Sequence, residues 1–340
     1  LLENLYPWDG KKWLQLNINA RQTRKLTNKY GFSSKSVSEI STCVGDRFFD
    51  EYSSKDVKQA RLRMGHILSG GQAILSPIPV NQFSNEIGTW MQNEKPVILG
   101  VRAGLAVDSQ SDDLIILLQP TRIVNRKRIE RGMQLIESLL RKGKLRKEFD
   151  TNPNKKIILH ISGPTPREHQ ADLETVLHSY SQLIDALPQT ISERVFIALS
   201  VGQEEHTSFE NKRFRPMHMA AIYRMADAVL FPSESEGRGL PIIEASAIGV
   251  PIICSRYHPH EVFDDVVGKG LPKNLRLHYT LFPEGKLSQP FLSKVADLLI
   301  NPESKQTQIA HNRNVVKTRF SQPSLTKNFK HLLTQFLTLE

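Results

Sequence analysis

The chain has 340 residues, 39% of them hydrophobic and 24% charged, with a net charge of +10, which is globular material long enough for two domains. It contains no run of eighteen apolar residues, and its opening, LLENLYPWDG, lacks a basic start and a long apolar centre, which argues against membrane insertion and a secretory signal. The positive charge points to an anionic partner, but acids are mixed among the bases and aromatics make up only 7%, which argues against a nucleic-acid-binding stripe.

The chain starts at Leu1, so it is expected to be a piece of a longer protein. Its two cysteines, Cys43 and Cys254, lie far apart, and buried thiols in a reducing compartment are expected rather than a disulfide. The expected location is the cytoplasm.

In chain order, WLQLNI reads as a strand, ARQTRKLTNKYG as a helix ending at Gly31, and VSEISTC and PVILGV as further strands. These are too few for a full doubly wound domain. The polar, acidic stretch DSQSDD at 108 to 113 reads as a linker. From Leu114 onward, short β-branched runs at 114 to 118, 156 to 161, 194 to 199, 228 to 231 and 251 to 254 alternate with helical stretches. Such alternation predicts parallel strands joined by helical crossovers. IERGMQLIESLLRKG places Ile129, Met133, Ile136 and Leu140 on one helix face before Gly143, and REHQADLETVLHSYSQLIDAL does the same with Leu173, Leu177 and Leu187. After Glu284 the chain reads as KLSQPFLSKVADLLI followed by two amphipathic helices parted at Ser321-Gln322-Pro323.

Ligands of an open parallel sheet bind beyond the carboxyl ends of its strands. After the strand at 114 to 118, Arg122, Arg126, Lys127 and Arg128 crowd the start of a helix. The helix dipole makes each added cation there unfavourable by roughly 0.3 to 1 kcal/mol. A bound phosphate would remove that conflict, because helix amides and basic side chains attract the same anion. The alternative is a solvated basic loop. After the strand at 228 to 231, PSESEGRG leads into a helix with Pro241 near its start and Gly249 at its end. Gly237 and Gly239 allow close backbone approach and positive φ. Glu244 is expected in the first helical turn and Glu236 in the loop before it, both facing one crevice; simple compensation of the helix dipole is the competing account.

The run PSESEGRGLPIIEASAIGVPIICS resembles the signature of retaining nucleotide-sugar glycosyltransferases of family 4, in the frame E-G-x-G-L-P-x-x-E-A-x-A-x-G-x-P. TRIVNRKRIERG is similar to that family's phosphate loop through Arg122 and Lys127, and IYRMADAVLFPS to the segment that leads into the motif. The resemblance covers nearly the whole chain and implies an α/β fold of GT-B type. In it, a doubly wound, Rossmann-like nucleotide-sugar domain is joined to part of a second Rossmann-like domain and a helical C-terminal tail. The implied division is 1–110 for the end of the acceptor-side domain and linker, 111–303 for the donor domain, and 304–340 for helices that brace the first domain.

By the same resemblance, Arg122 and Lys127 neutralise the donor diphosphate and Glu244 holds the ribose hydroxyls. Glu236 and the amides after it, through Gly237, Arg238, Gly239 and Leu240, hold the donor sugar. The loop SVGQEEHTSF passes the base, with Gly202 at its tight turn, and Glu261 has a secondary role. No cofactor and no metal is implied; the donor substrate is a UDP-, GDP- or ADP-hexose, and the acceptor a hydroxyl-bearing sugar, sugar phosphate or small polyol. His258 and His260 lack a third well-spaced metal ligand.

Two departures stand out. Arg238 replaces the family's common phenylalanine and reads either as a contact for a phosphorylated or acidic acceptor or as a solvated loop residue. The family's N-terminal glycine-rich loop and its histidine near the reaction centre have no counterpart, the first histidine being His66. The expected activity is transfer of a hexose to a hydroxyl with retention of configuration. The alternative is a non-catalytic GT-B-like module that binds a sugar nucleotide or a partner. Lys327, Lys330 and His331 on the last helix suit an anionic membrane surface, but a tail that braces the first domain is the preferred reading.

Overall fold

The computed structural model describes residues 13–69, 74–93, 95–165, 167–199 and 217–338. Gly202, the expected base-side turn, lies outside them. The first elements are β1 (Gln15–Asn17), α1 (Ala20–Tyr30), β2 (Val37–Glu39), α2 (Ser54–Leu68), β3 (Ile74–Leu75), β4 (Ile78–Pro79), α3 (Val80–Asn85), α4 (Ile87–Asn93), β5 (Val97–Gly100) and β6 (Val107–Asp108). The motif-bearing part follows as β7 (Leu114–Gln119), α5 (Glu130–Arg141), α6 (Lys144–Thr151), β8 (Lys156–Ile161), α7 (Gln170–Asp185), α8 (Gln189–Ser192), β9 (Val195–Leu199), α9 (Met219–Arg224), β10 (Ala228–Phe231) and α10 (Leu240–Ile248). The chain continues with β11 (Ile252–Cys254), α11 (His260–Val267), β12 (Thr280–Leu281), α12 (Gln289–Ile300), α13 (Gln306–Phe320) and α14 (Gln322–Leu337).

The main sheet has eight strands in the order β12-β11-β10-β7-β8-β9-β5-β4. Every neighbouring pair is parallel except β5 and β9, where Val97 faces Leu199 in an antiparallel ladder. The strands are apolar on both faces because helices cover both. Successive side chains of a strand point to opposite faces. Accordingly Ile115 and Leu117 enter the core under α5, α7 and α12, while Leu114, Ile116 and Leu118 enter the core under α2, α9, α10 and α13.

The stretch expected to be a linker is a turn between β6 and β7, with Ser109 fully buried and the Gln110 amide donating to Asp108 Oδ1 at 2.9 Å. The sheet runs across this point, since β4 and β5 come from before residue 110 and pair alongside β9. One long element there was not anticipated. Helix α2 carries Arg61, whose guanidinium donates to Asp227 Oδ1 and Oδ2 at 3.0 and 2.9 Å and to the carbonyls of Met225 and Leu114. Asp227 in turn accepts the Ile116 amide at 2.7 Å, so α2 is pinned to the ends of β7 and β10 by a satisfied buried network.

Of the earlier expectations, α1 ends as predicted, with Gly31 at φ 69 closing it onto the Leu26 carbonyl. It connects β1 to β2, which form a parallel pair of their own. Gly143 does not close the helix before it; at φ 108 it opens α6, whose Leu145 and Phe149 are buried. The first tail helix, α13, buries Val315, Val316 and Phe320 in the second core. The next, α14, buries no residue and reaches the β1–β2 unit through Asn328 Nδ2, which donates to Ser41 Oγ at 3.2 Å. Among the described residues, no helix is long and apolar enough to cross a membrane.

Candidate functional site

The loops after β7 and β10 meet at their strands' carboxyl ends. After β7 the chain makes a single 3-10 turn over Asn125–Lys127, and Arg128 then adopts the left-handed conformation at φ 51. Among the described residues it is the only non-glycine at positive φ. Such a backbone costs on the order of 1 to 2 kcal/mol, and here it sends neighbouring cations in different directions. Lys127 turns inward and donates from Nζ to Glu236 Oε1 at 2.6 Å. Arg128 turns out to Glu130 at 2.6 Å and Glu234 at 3.1 Å. Arg126 donates to the Ser235 carbonyl at 2.8 Å and lies 3.5 Å from Glu236 Oε2.

The Lys127–Glu236 pair is nearly closed to solvent, with side-chain exposures of 10% and 9%. Burial pushes the Lys127 ammonium below lysine's ordinary range; Glu236 opposes that shift, and Arg126 and Arg122 add to it. Arg122 is therefore close enough to act on the same charge. It is exposed at the end of β7 and makes no ion pair with a described residue. Its backbone is wedged against the loop after β8, because Gly163 packs directly on the Thr121–Arg122 peptide.

After β10, the Glu236 amide donates to the His258 carbonyl at 2.8 Å, and His258 returns a bond to the Glu234 carbonyl at 2.7 Å. Gly239 sits at φ 72 and starts α10, and Leu240 at its first turn is 40% exposed. Positive φ is realised at Gly239 but not at Gly237. A side chain at Gly239 would also run into the Tyr257 ring, whose Cζ would lie 2.8 Å from the new carbon.

Glu244 departs from expectation. It lies in the second turn of α10, whose first turn holds no acid, so dipole compensation does not account for it. No described contact joins it to Glu236. It accepts instead from the hydroxyl of Tyr223, on α9, at 2.7 Å. Burial raises the Glu244 carboxyl above the usual range, with the Tyr223 bond acting in the opposite direction; burial likewise raises the Tyr223 phenol. Tyr223 was not anticipated from sequence, although its place in IYRMADAVLF is one helix before the motif.

An acid whose folded-state pKa is raised contributes stability fully below its unfolded pKa and loses it as pH rises through the folded value. Glu244→Gln is therefore expected to lose less stability than wild type between about pH 4 and about pH 8 in urea denaturation. An unchanged difference between the two pH values would sink this reading of its environment.

The Arg238 side chain is not a solvated loop residue. It is 9% exposed, donates to Asp265 Oδ2 at 2.5 Å and stacks over Phe320 at 5.8 Å, so its side chain is built into the packing of α11 and α13. The His258 and His260 rings lie against each other, tilted by 33°, with centroids 4.0 Å apart. No group of three His, Cys, Asp or Glu side chains that could hold a metal occurs among the described residues. Cys43 is half-buried, Cys254 is buried, and both are free thiols.

These features can be set beside known proteins. Residues 106–314, more than half of the chain, match the family model described as glycosyl transferases group 1. Mannosylglucosylglycerate synthase of Thermotoga maritima is 28% identical over 221 residues, which is 61% of this chain and 46% of that protein. D-inositol 3-phosphate glycosyltransferase of Corynebacterium efficiens is 28% identical over 101 residues, 29% of this chain and 23% of that one. Among solved structures, Anabaena HepE in complex with UDP and glucose superposes with a TM-score of 0.53 at 12% identity, covering 94% of this chain and 63% of that one. The chain thus spans less than half the length of the curated relatives it matches. With its two-sided, mainly parallel sheet, its paired loops at the strand ends and the family match across them, the chain belongs to the glycosyl transferases of group 1 and has the GT-B fold.

Proposed function

We propose that this chain carries the donor half of a cytoplasmic, retaining glycosyltransferase that moves a hexose from a nucleoside diphosphate sugar to a hydroxyl acceptor. The observation that carries the proposal is the buried Lys127–Glu236 pair at the mouth of the sheet, flanked by Arg122 and by the start of α10. A lysine ammonium has three donors. Glu236 occupies one, leaving others for the oxygens of a diphosphate.

A diphosphate leaving group gathers negative charge as the glycosidic bond breaks. Fixed cations and helix amides stabilise that charge without having to reorganise. In this reading Arg122 and Lys127 hold the diphosphate, Glu244 the ribose, and Glu236 with the Gly237–Leu240 amides the sugar. The protein supplies the charge balance with its own cations and uses no cofactor. The β1–β2 unit with α1 then serves as the acceptor-side remnant, the eight-stranded sheet with its helices, which takes in β4 and β5, as the donor domain, and α14 as the bracing tail. The UDP and glucose in the HepE complex and the glycosyl transfer named for the D-inositol 3-phosphate relative support this class of substrate.

Calorimetric titration with UDP, GDP and ADP is expected to show one of the three binding at micromolar to millimolar strength; no heat with any of them would overturn the proposal. A non-catalytic sugar-nucleotide module would bind equally well, so donor hydrolysis and transfer assays on the longest available protein separate the two readings.

A further inference from the structure

The amide of Asn19 bonds in two directions at once. Its Oδ1 accepts the Gln22 amide at 3.0 Å and so caps α1, while its Nδ2 donates to the Gly237 carbonyl at 3.1 Å. The second bond crosses 218 residues of sequence, from the end of β1 to the loop that follows β10. Asn19 itself is only 6% exposed. A second tie runs beside it, since Arg24 of α1 pairs with Glu261 of α11.

Gly237 needs such a hold. A side-chain carbon placed on it would meet nothing within 4 Å, so packing does not fix its position. The Gly237 carbonyl and the Arg238 N–H belong to one planar trans peptide and point in opposite directions. Fixing the carbonyl toward Asn19 therefore aims the Arg238 N–H the other way. No described group accepts that N–H. The two flanking positions are held independently, by Glu236 N–H on the His258 carbonyl and by the Tyr257 hydroxyl on the Arg238 carbonyl at 3.2 Å. The peptide between them depends on Asn19.

We propose that Asn19 is a positioning residue for the donor sugar: it sets the plane of the Gly237–Arg238 peptide so that the Arg238 amide is presented to a hydroxyl of the bound sugar. This rests on the assignment of the Gly237 loop to the sugar under the proposed function. It predicts that the β1–α1 unit contributes to recognition of the sugar and not of the nucleotide.

Two variants separate this role from helix capping. Asn19→Asp and Asn19→Ser both keep a side-chain oxygen that caps α1. Neither can donate to the Gly237 carbonyl as the amide does: Asp, when ionised, has only acceptors, and the Ser side chain is shorter. An aspartate at the N-terminus of α1 also suits the helix dipole, so the fold is retained. In the ligand-free protein the carbonyl-carbon NMR resonance of Gly237 is expected to move upfield in both variants, because that carbonyl loses the hydrogen bond from Asn19.

Calorimetry with UDP and UDP-glucose, GDP and GDP-mannose, and ADP and ADP-glucose is expected to show nucleotide affinity unchanged. The ratio of nucleotide-sugar to nucleotide affinity should fall about five- to tenfold. A wild-type Gly237 carbonyl resonance in both variants, or an unchanged ratio, overturns the proposal. If the wild-type protein binds none of the nucleotides, the donor-site assignment fails and the sugar role with it; the Gly237 carbonyl resonance then still decides whether Asn19 holds the loop.

Discussion

Lys127→Ala is expected to weaken nucleoside diphosphate binding by about ten- to a hundredfold, the loss of one charge-assisted hydrogen bond in a shielded site. It is also expected to lower stability by about 3 kcal/mol, because Glu236 is left charged and 9% exposed beside only the longer contact to Arg126. The two effects can be separated. In Lys127→Met with Glu236→Gln, neither partner retains a charge, and most of the stability should return while nucleotide binding does not. Urea denaturation and calorimetry on the single and double variants check this. A double variant as unstable as Lys127→Ala would show that pairing is not the source of the loss. Wild-type affinity in Lys127→Ala would remove the residue from the diphosphate site.

Gly163→Ala is expected to be comparably damaging, for a reason that involves no charge. The added methyl would overlap the Thr121 carbonyl and lie 2.5 Å from the Arg122 nitrogen. Both are backbone atoms at the end of β7, with no flexible side chain that could yield. Overpacking of this kind typically costs about 1 to 3 kcal/mol, and the upper end is expected here. Relief requires the loops after β7 and β8 to separate, which moves Arg122 away from Lys127 and should lower nucleotide affinity about tenfold. Gly237→Ala, whose methyl would meet nothing within 4 Å, is the control for stability. Equal thermal stability of Gly163→Ala and wild type would refute the close-approach account.

The parallel half of the fold was legible from sequence because its strands are buried on both faces. Runs such as LIILLQ and KIILHI contain no polar alternation to confuse the period, and Gly249 and Pro241 mark the limits of α10. Reading was weaker before residue 110. There the strands are two to four residues long, too short for any periodicity, and α2 hides its docking function in a single charged residue, Arg61. Helix α6 was missed because its sequence KLRKEFDT is mostly charged, with only Leu145 and Phe149 turned inward.

In the candidate site, the motif frame located Glu236 and Lys127 on neighbouring loops, and the structure joins them directly. The frame gave no access to side-chain partners that depend on tertiary packing. Tyr223 comes to Glu244 from another helix, and Asp265 takes Arg238 from the element after the next strand. Asn19 was invisible for the same reason, since its partner lies 218 residues away.

The eight-stranded sheet ends on both sides in a strand of two residues, Ile78–Pro79 and Thr280–Leu281. Proline has no N–H to offer a ladder. A second molecule meeting either edge could form only one or two main-chain bonds, each worth about 1 kcal/mol net. Association costs on the order of 4 to 15 kcal/mol in lost freedom of motion, so among the described residues the edges of this sheet offer copies little foothold for edge-to-edge stacking. Crowded in solution, the molecules should repel one another through their shared positive charge rather than grow into fibres.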